Sequence, residues 1–225
     1  MNKIKLTWSM LLLTIASFVL PSCLDDEDEV VTSIYPNALV TLKTHPTEGF
    51  YLQLDDSTTL VPTNLTSSPY GDKEVRAFVN FTEESNNRSN RTYDVHVNWI
   101  DTIRTKTMDI NLGEAGNVTT YGNDPVEIVN SWETVAEDGY LTLRFRTYFS
   151  MGVTHSLHLV KGENPYEVIL HHNAYGDTYG KTADGIIAFR LNELPDTDEE
   201  TVELTLKWNS FSGEKSAKFN YRPRP

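Results

Sequence analysis

Apolar and polar residues alternate with a period of two along most of this chain. Ala38, Val40 and Leu42 share one parity against Leu39, Thr41 and Lys43, as expected when successive side chains point to opposite faces of a strand. Leu52 and Leu54 alternate with Tyr51 and Gln53. Asp55-Asp56-Ser57 then reads as a hairpin turn into Thr58-Thr59-Leu60-Val61, a strand that Pro62 ends. Val75, Ala77, Val79 and Phe81 form another stripe, as do Tyr93, Val95, Val97 and Trp99, with a polar hairpin loop from Glu83 to Arg91 between them. Strand character runs on through Ile103. Two turn-forming clusters, from Asn111 to Asn117 and from Gly122 to Pro125, then interrupt the pattern and mark the clearest module boundary. Beyond it the alternation strengthens in Leu141, Leu143 and Phe145; in His155, Leu157 and Leu159; in Val168, Leu170 and His172; in Ile187, Phe189 and Leu191; and in Val202, Leu204, Leu206 and Trp208. The stretch from Val126 to Glu137 has the length of a short helix, but its valine, isoleucine and tryptophan suit a strand better. Short strands separated by turns predict an all-β protein of two modules, each a sandwich or a barrel.

The N-terminus departs from this pattern. Asn2-Lys3-Ile4-Lys5 and the apolar run from Leu6 to Leu20 read as a signal sequence, since a spanning helix needs about 20 mostly apolar residues. Leu20-Pro21-Ser22-Cys23 fits the bacterial lipoprotein pattern, with cleavage before Cys23 and a diacylglyceryl group on its thiol. Cys23 is the only cysteine in the chain, so the mature protein can draw on neither disulfides nor a cysteine-ligated metal. Each buried acyl methylene contributes about 0.8 kcal/mol, and two or three chains together anchor firmly. Asp25 to Glu29 is an unbroken run of acids that reads as a solvated spacer. Acids just after a lipidated cysteine also resemble an export address to the outer face of the outer membrane. The expectation is a signal peptide over 1–22, an acylated and acidic spacer over 23–34, and lipid anchoring at the outer membrane of a Gram-negative envelope. The formal charge is −13; the signal carries Lys3 and Lys5 and no acid, so −13 − 2 leaves −15 on the mature chain. That sign argues against nucleic acid as a partner and against adsorption to anionic lipid, leaving acylation as the route to the membrane.

The stretches Leu54 to Thr63, Ile103 to Lys106, Asp124 to Ile128, Tyr140 to Phe145, His155 to Val160 and His172 to Asp177 together resemble the NigD-like lipoproteins, in that family's order and across nearly all of the mature chain. The resemblance implies an N-terminal OB-like barrel followed by a C-terminal β-sandwich. With the boundary above, this places the barrel over 35–112, a linker over 113–125 and the sandwich over 126–225. OB folds often bind nucleic acid or sugar, and the charge disfavours the first. The family takes its name from a gene in a bacteriocin-associated cluster and carries no catalytic residue with it.

Candidate chemistry starts with histidine. His155 and His158 point to opposite faces of a strand, as do His171 and His172, so a metal site would need one of each pair, His155 with His172, converging across paired strands. Zinc asks for three or four ligands, and no third is apparent, so no metal or other cofactor is expected. Ser131, Ser150 and Ser156 lack a nucleophile elbow, and the acids from Asp196 to Glu200 read as loop charges. The reading is a non-catalytic binding or scaffold module. An envelope hydrolase with a histidine metal site and a bacteriocin-associated immunity or inhibitor protein are the alternatives. Binding candidates are Tyr175 and Tyr179, in a turn-rich segment, with Tyr148 and Phe149. Exposed rings at one end of a sandwich could stack on a glycan or anchor an envelope protein; the competing reading is that they plug that end.

Overall fold

The computed structural model describes residues 35–47, 49–84, 91–150, 152–197 and 200–222. Cys23, the signal and spacer segments, and residues 85–90 of the polar loop lie outside the described residues. Strands β1 (Ala38–His45), β2 (Gly49–Gln53), β3 (Thr59–Pro62), β4 (Val75–Glu83) and β5 (Thr92–Thr102) close into a barrel in the order β1-β2-β3-β5-β4. Their inward parity supplies the core: Val40, Leu42, Leu52, Leu60, Ala77, Val79 and Val95 are buried. The hairpin turn is held by Asp55, whose carboxylate accepts the backbone N–H groups of Ser57 and Thr58, each at 2.8 Å. One stripe breaks parity. Asn80 pairs with Trp99 but Phe81 with Val97, so Asn98 bulges, and Ile100 rather than Trp99 joins the barrel core.

The second module opens with β6 (Thr105–Thr107), helix α1 (Glu114–Tyr121), β7 (Glu127–Ile128) and β8 (Val135–Glu137). It continues with β9 (Tyr140–Phe149), β10 (Ser156–Lys161), β11 (Glu167–Asn173), β12 (Lys181–Arg190), β13 (Val202–Ser210) and β14 (Gly213–Tyr221). One sheet runs β6-β12-β9-β7, with β8 also on β9; the other runs β10-β11-β13-β14. Between them lie Leu141, Leu143, Leu157, Leu159, Val168, Leu170, Ile187, Phe189, Leu204, Leu206 and Trp208. Fully burying a side chain of this size contributes about 1.5–3 kcal/mol, so this stripe of core residues holds the sandwich without a cross-link. The architecture is all-β, a barrel followed by a sandwich.

The turn-rich stretch after β6 winds one eight-residue helix, α1, which apolar periodicity gave no reason to expect. Buried Asn117 holds it: its Oδ1 accepts from Leu112 N at 2.8 Å and its Nδ2 donates to Asn111 Oδ1 at 3.0 Å. Tyr121 stacks on His158 with ring centroids 4.7 Å apart.

The barrel and the sandwich share an interface. Leu39, on the face of β1 that alternation leaves outside the barrel, is buried with Ile103, Tyr140 and Ala188. Beside them Arg76, fully buried, donates to Thr41 Oγ1 at 3.0 Å, to Thr142 Oγ1 at 3.4 Å and to Glu137. Burial pushes the Glu137 carboxyl up, against the opposing pull of Arg76. Lys43 donates to Asp138 at 2.6 Å, and Arg190 donates to Glu74 at 3.0 Å. These bonds tie both modules into one body.

Candidate functional site

The end of the sandwich where β9 finishes and β12 begins gathers every binding candidate. Lys181 pairs with Phe149 and Thr182 with Tyr148, which brings the Tyr175–Tyr179 segment beside the last residues of β9. Tyr148 and Phe149 have opposite parity. Tyr148 packs edge-on against Phe211, 5.2 Å between centroids, over a small hollow of about 90 Å³ that Ala174 and Thr178 also line. Phe149 turns the other way, toward a cleft of about 370 Å³ at the mouth between the sheets, shared with Phe145, Leu157 and His155. Tyr175 and Tyr179 are 61% and 70% exposed, too open to act as plugs.

Tyr175 is held in an unusual conformation. It and Gly176 form the centre of a tight turn, Asp177 N donating to Ala174 O at 2.9 Å. Both have positive φ, 50° and 85°, as a type I′ turn requires. Glycine enters that region freely, whereas a bulky side chain there costs about 1–3 kcal/mol unless its surroundings hold it. Asn173 Oδ1 accepts the Tyr175 N–H at 2.9 Å, and the Tyr175 hydroxyl lies 3.2 Å from Ser156 Oγ.

A buried polar chain underlies the turn. His172 Nδ1 faces the carbonyls of Asp124 and Pro125 at 3.3 and 3.1 Å. Carbonyls only accept, so Nδ1 carries the proton and Nε2 is a lone pair in the neutral ring. His155 Nδ1 lies 3.0 Å from that Nε2, and His155 Nε2 lies 3.2 Å from Asp177 Oδ2. His155 thus bridges the ring of His172 on one side and the Asp177 carboxylate on the other. Asp177 also accepts the Ser150 hydroxyl and, at 2.8 Å, its backbone N–H. These Ser150 bonds first, and His155 after them, hold the Asp177 carboxyl below the usual range. Burial first, then repulsion from His155, lowers His172. The chain thus fastens the Tyr175 turn to the end of β9.

The structure brings His155 and His172 together across paired strands, as parity suggests, but in a hydrogen bond with each other. All four of their ring nitrogens are engaged. Among the described residues no group of three or more histidines, cysteines or acids is placed to hold a metal ion. His158 faces away, 2.9 Å from Asp109, and His171 lies on the opposite face of β11, beside α1. Sequence reasoning missed Asp177, Ser150 and Phe211. Asp177 follows the Tyr-Gly pair of the turn, and that turn signal was the one local clue to its position.

A closed five-stranded barrel joined to a β-sandwich with an aromatic-tipped end defines a two-module all-β protein. The profile of the NigD-like N-terminal OB domain matches residues 39–103, and that of the NigD-like C-terminal beta sandwich domain matches residues 109–221. The chain belongs to the NigD-like family. Its fold matches a protein of Parabacteroides distasonis provisionally named toxin-related, with 33% identity, a TM-score of 0.68, and coverage of 82% of this chain and 92% of that one. It also matches a NigD-like immunity protein of Bacteroides caccae (17% identity, TM-score 0.56, coverage 81% and 91%). A third match is a protein of Bacteroides fragilis provisionally named a lipoprotein (13%, 0.52, 83% and 97%). No curated protein matches the chain.

Proposed function

We propose that this chain is a lipid-anchored, non-catalytic binding protein of the bacterial outer membrane whose partner, an envelope or secreted protein, docks on the aromatic end of the sandwich. The observation that carries the reading is the exposed Tyr175, held in a left-handed turn by a buried network that is otherwise costly to assemble. Tyr179, Tyr148, Phe149 and Phe211 extend that surface, and clustered aromatic residues are the usual anchors of protein contacts. A binding role is further supported by Ser150, whose hydroxyl donates to Asp177 and not to a histidine, an arrangement unlike that of an activated nucleophile. Anchoring is supported by the Leu20-Pro21-Ser22-Cys23 motif and by the lipoprotein name given to the B. fragilis protein.

Immunity or inhibition is the second reading, favoured by the names toxin-related and immunity protein among the matches. It makes the partner a secreted toxin held in a tight one-to-one complex. A photo-crosslinking residue placed in intact cells at Tyr175, Tyr179 or, as a control on the barrel, Tyr70 tests both. The same discrete adduct from the first two positions and none from Tyr70 is expected. Adducts from Tyr70 alone would overturn the assignment of the surface.

A further inference from the structure

Ser156 and His158 stand two residues apart on β10 and so share a face. Asp109 joins them because the chain leaving β6 runs parallel to β10 there. Its N–H donates to the Leu159 carbonyl at 2.7 Å, and it bridges with Val160. The three side chains then form a line. His158 Nδ1 lies 2.9 Å from Asp109 Oδ2, and His158 Nε2 lies 3.2 Å from Ser156 Oγ. A carboxylate only accepts, so Nδ1 carries the proton, and Nε2 of the neutral ring is a lone pair facing the serine hydroxyl. Lys106 Nζ stands further off, 3.4 Å from Nδ1 and 3.7 Å from Asp109, and donates to the Leu157 carbonyl at 2.6 Å.

Two further contacts hold the arrangement. Tyr121 stacks on the imidazole with centroids 4.7 Å apart, and its own hydroxyl donates to the Ile110 carbonyl at 2.9 Å, which fixes the ring plane from one side. The Tyr175 hydroxyl lies 3.2 Å from Ser156 Oγ. With the serine proton given to His158, the tyrosine proton completes that contact, so a donor stands beside the oxygen that would react. The group is open to solvent: Ser156 is half-buried, and the side chains of His158 and Asp109 are 20% and 28% exposed.

A hydroxyl, an imidazole that takes its proton and a carboxylate that holds the other ring nitrogen are the parts of an activated serine. We infer that Ser156 is such a nucleophile and takes the acyl group of a carboxylic ester. The step balances within the site. Oγ bonds to the acyl carbon as its proton passes to His158 Nε2; the ester's carbon–oxygen bond then breaks, and that proton leaves with the alcohol. The Tyr175 hydroxyl is the donor for the oxygen that carries the charge in between. Asp109 acts through His158, as a positioning residue. The outcome is one acyl group per chain, a covalent capture that goes beyond docking at the aromatic end and stands independently of it. Ser150 differs in kind, because its hydroxyl gives its proton to a carboxylate.

The experiment uses the mature chain with Cys23→Ser for solubility and p-nitrophenyl acetate as the ester, acetylated positions being followed over time by peptide mass mapping. Ser156 should acetylate about a hundredfold faster than Ser150 or the exposed Ser212. His158→Gln should remove that advantage while the thermal midpoint shows that the fold is kept. Asp109→Asn should slow Ser156 about tenfold or more, and Asp109→Glu should restore part of the rate, which a merely structural role would not do. An unmodified Ser156, a rate no higher than that of the other two serines, or an undiminished rate in His158→Gln would each overturn the inference. An Asp109→Glu variant that recovers nothing would overturn the role given to Asp109.

Discussion

His172 illustrates how single residues at this end answer to their neighbours. Burial and the facing His155 hold it below the free histidine value, and burial does the same for His171. A base lowered in this way takes up its proton in the unfolded chain first, so between the two values stability rises with pH and falls on acidification. Both imidazoles should therefore titrate below about 6.5 in an NMR titration. The thermal midpoint should drop between about pH 7.5 and 5.5, and His172→Gln should shed part of that drop. Glu137 works in the opposite sense: its raised carboxyl makes stability fall as pH climbs above the free glutamate value, so the variant comparison is needed to isolate the histidine. Titration of either histidine at or above the free value would contradict the dominance of burial at these two rings. The convergence of His155 and His172 was legible from strand parity alone. Asp177 was not, because its approach depends on a left-handed turn, and Ser150 comes from the opposite sheet, a distance that no local pattern encodes.

At the level of elements, alternation revealed the strands because each buries one face, and it failed where a face did not follow the rule. On β5 the Asn98 bulge exchanges Ile100 for Trp99. On β1 both faces are covered, one by the barrel and one by the sandwich. Helix α1 escaped notice because side-chain bonds from Asn117 and two flanking glycines define it, with little apolar stripe. Gly113 and Gly122 sit at φ 79° and 85° with ψ 164° and 174°, a region that costs other residues about 1–3 kcal/mol. A Cβ at Gly113 would meet nothing within 4 Å, whereas one at Gly122 would lie 2.6 Å from the His172 carbonyl of β11. Gly122→Ala should thus lose about 1–3 kcal/mol more than Gly113→Ala in urea unfolding. Equal losses would show that β11 yields without cost.

In the whole molecule, the barrel and the sandwich are coupled through the buried Arg76 network, and the two should unfold in one transition. Arg76→Met leaves Glu137 buried without its partner and should cost about 3–5 kcal/mol; two separate transitions in the unaltered protein would contradict the coupling. The N-terminal peptide of the native protein should carry a diacylglyceryl group on Cys23, seen by mass spectrometry, and Cys23→Ser should release the chain from the membrane fraction. The proposed docking surface faces the most direct test in calorimetry with the partner that cross-links to Tyr175 and Tyr179. Replacing both tyrosines by alanine should weaken binding at least tenfold, about 1.4 kcal/mol or more, with the thermal midpoint unchanged. Full affinity in that variant, with the fold intact, would contradict the account.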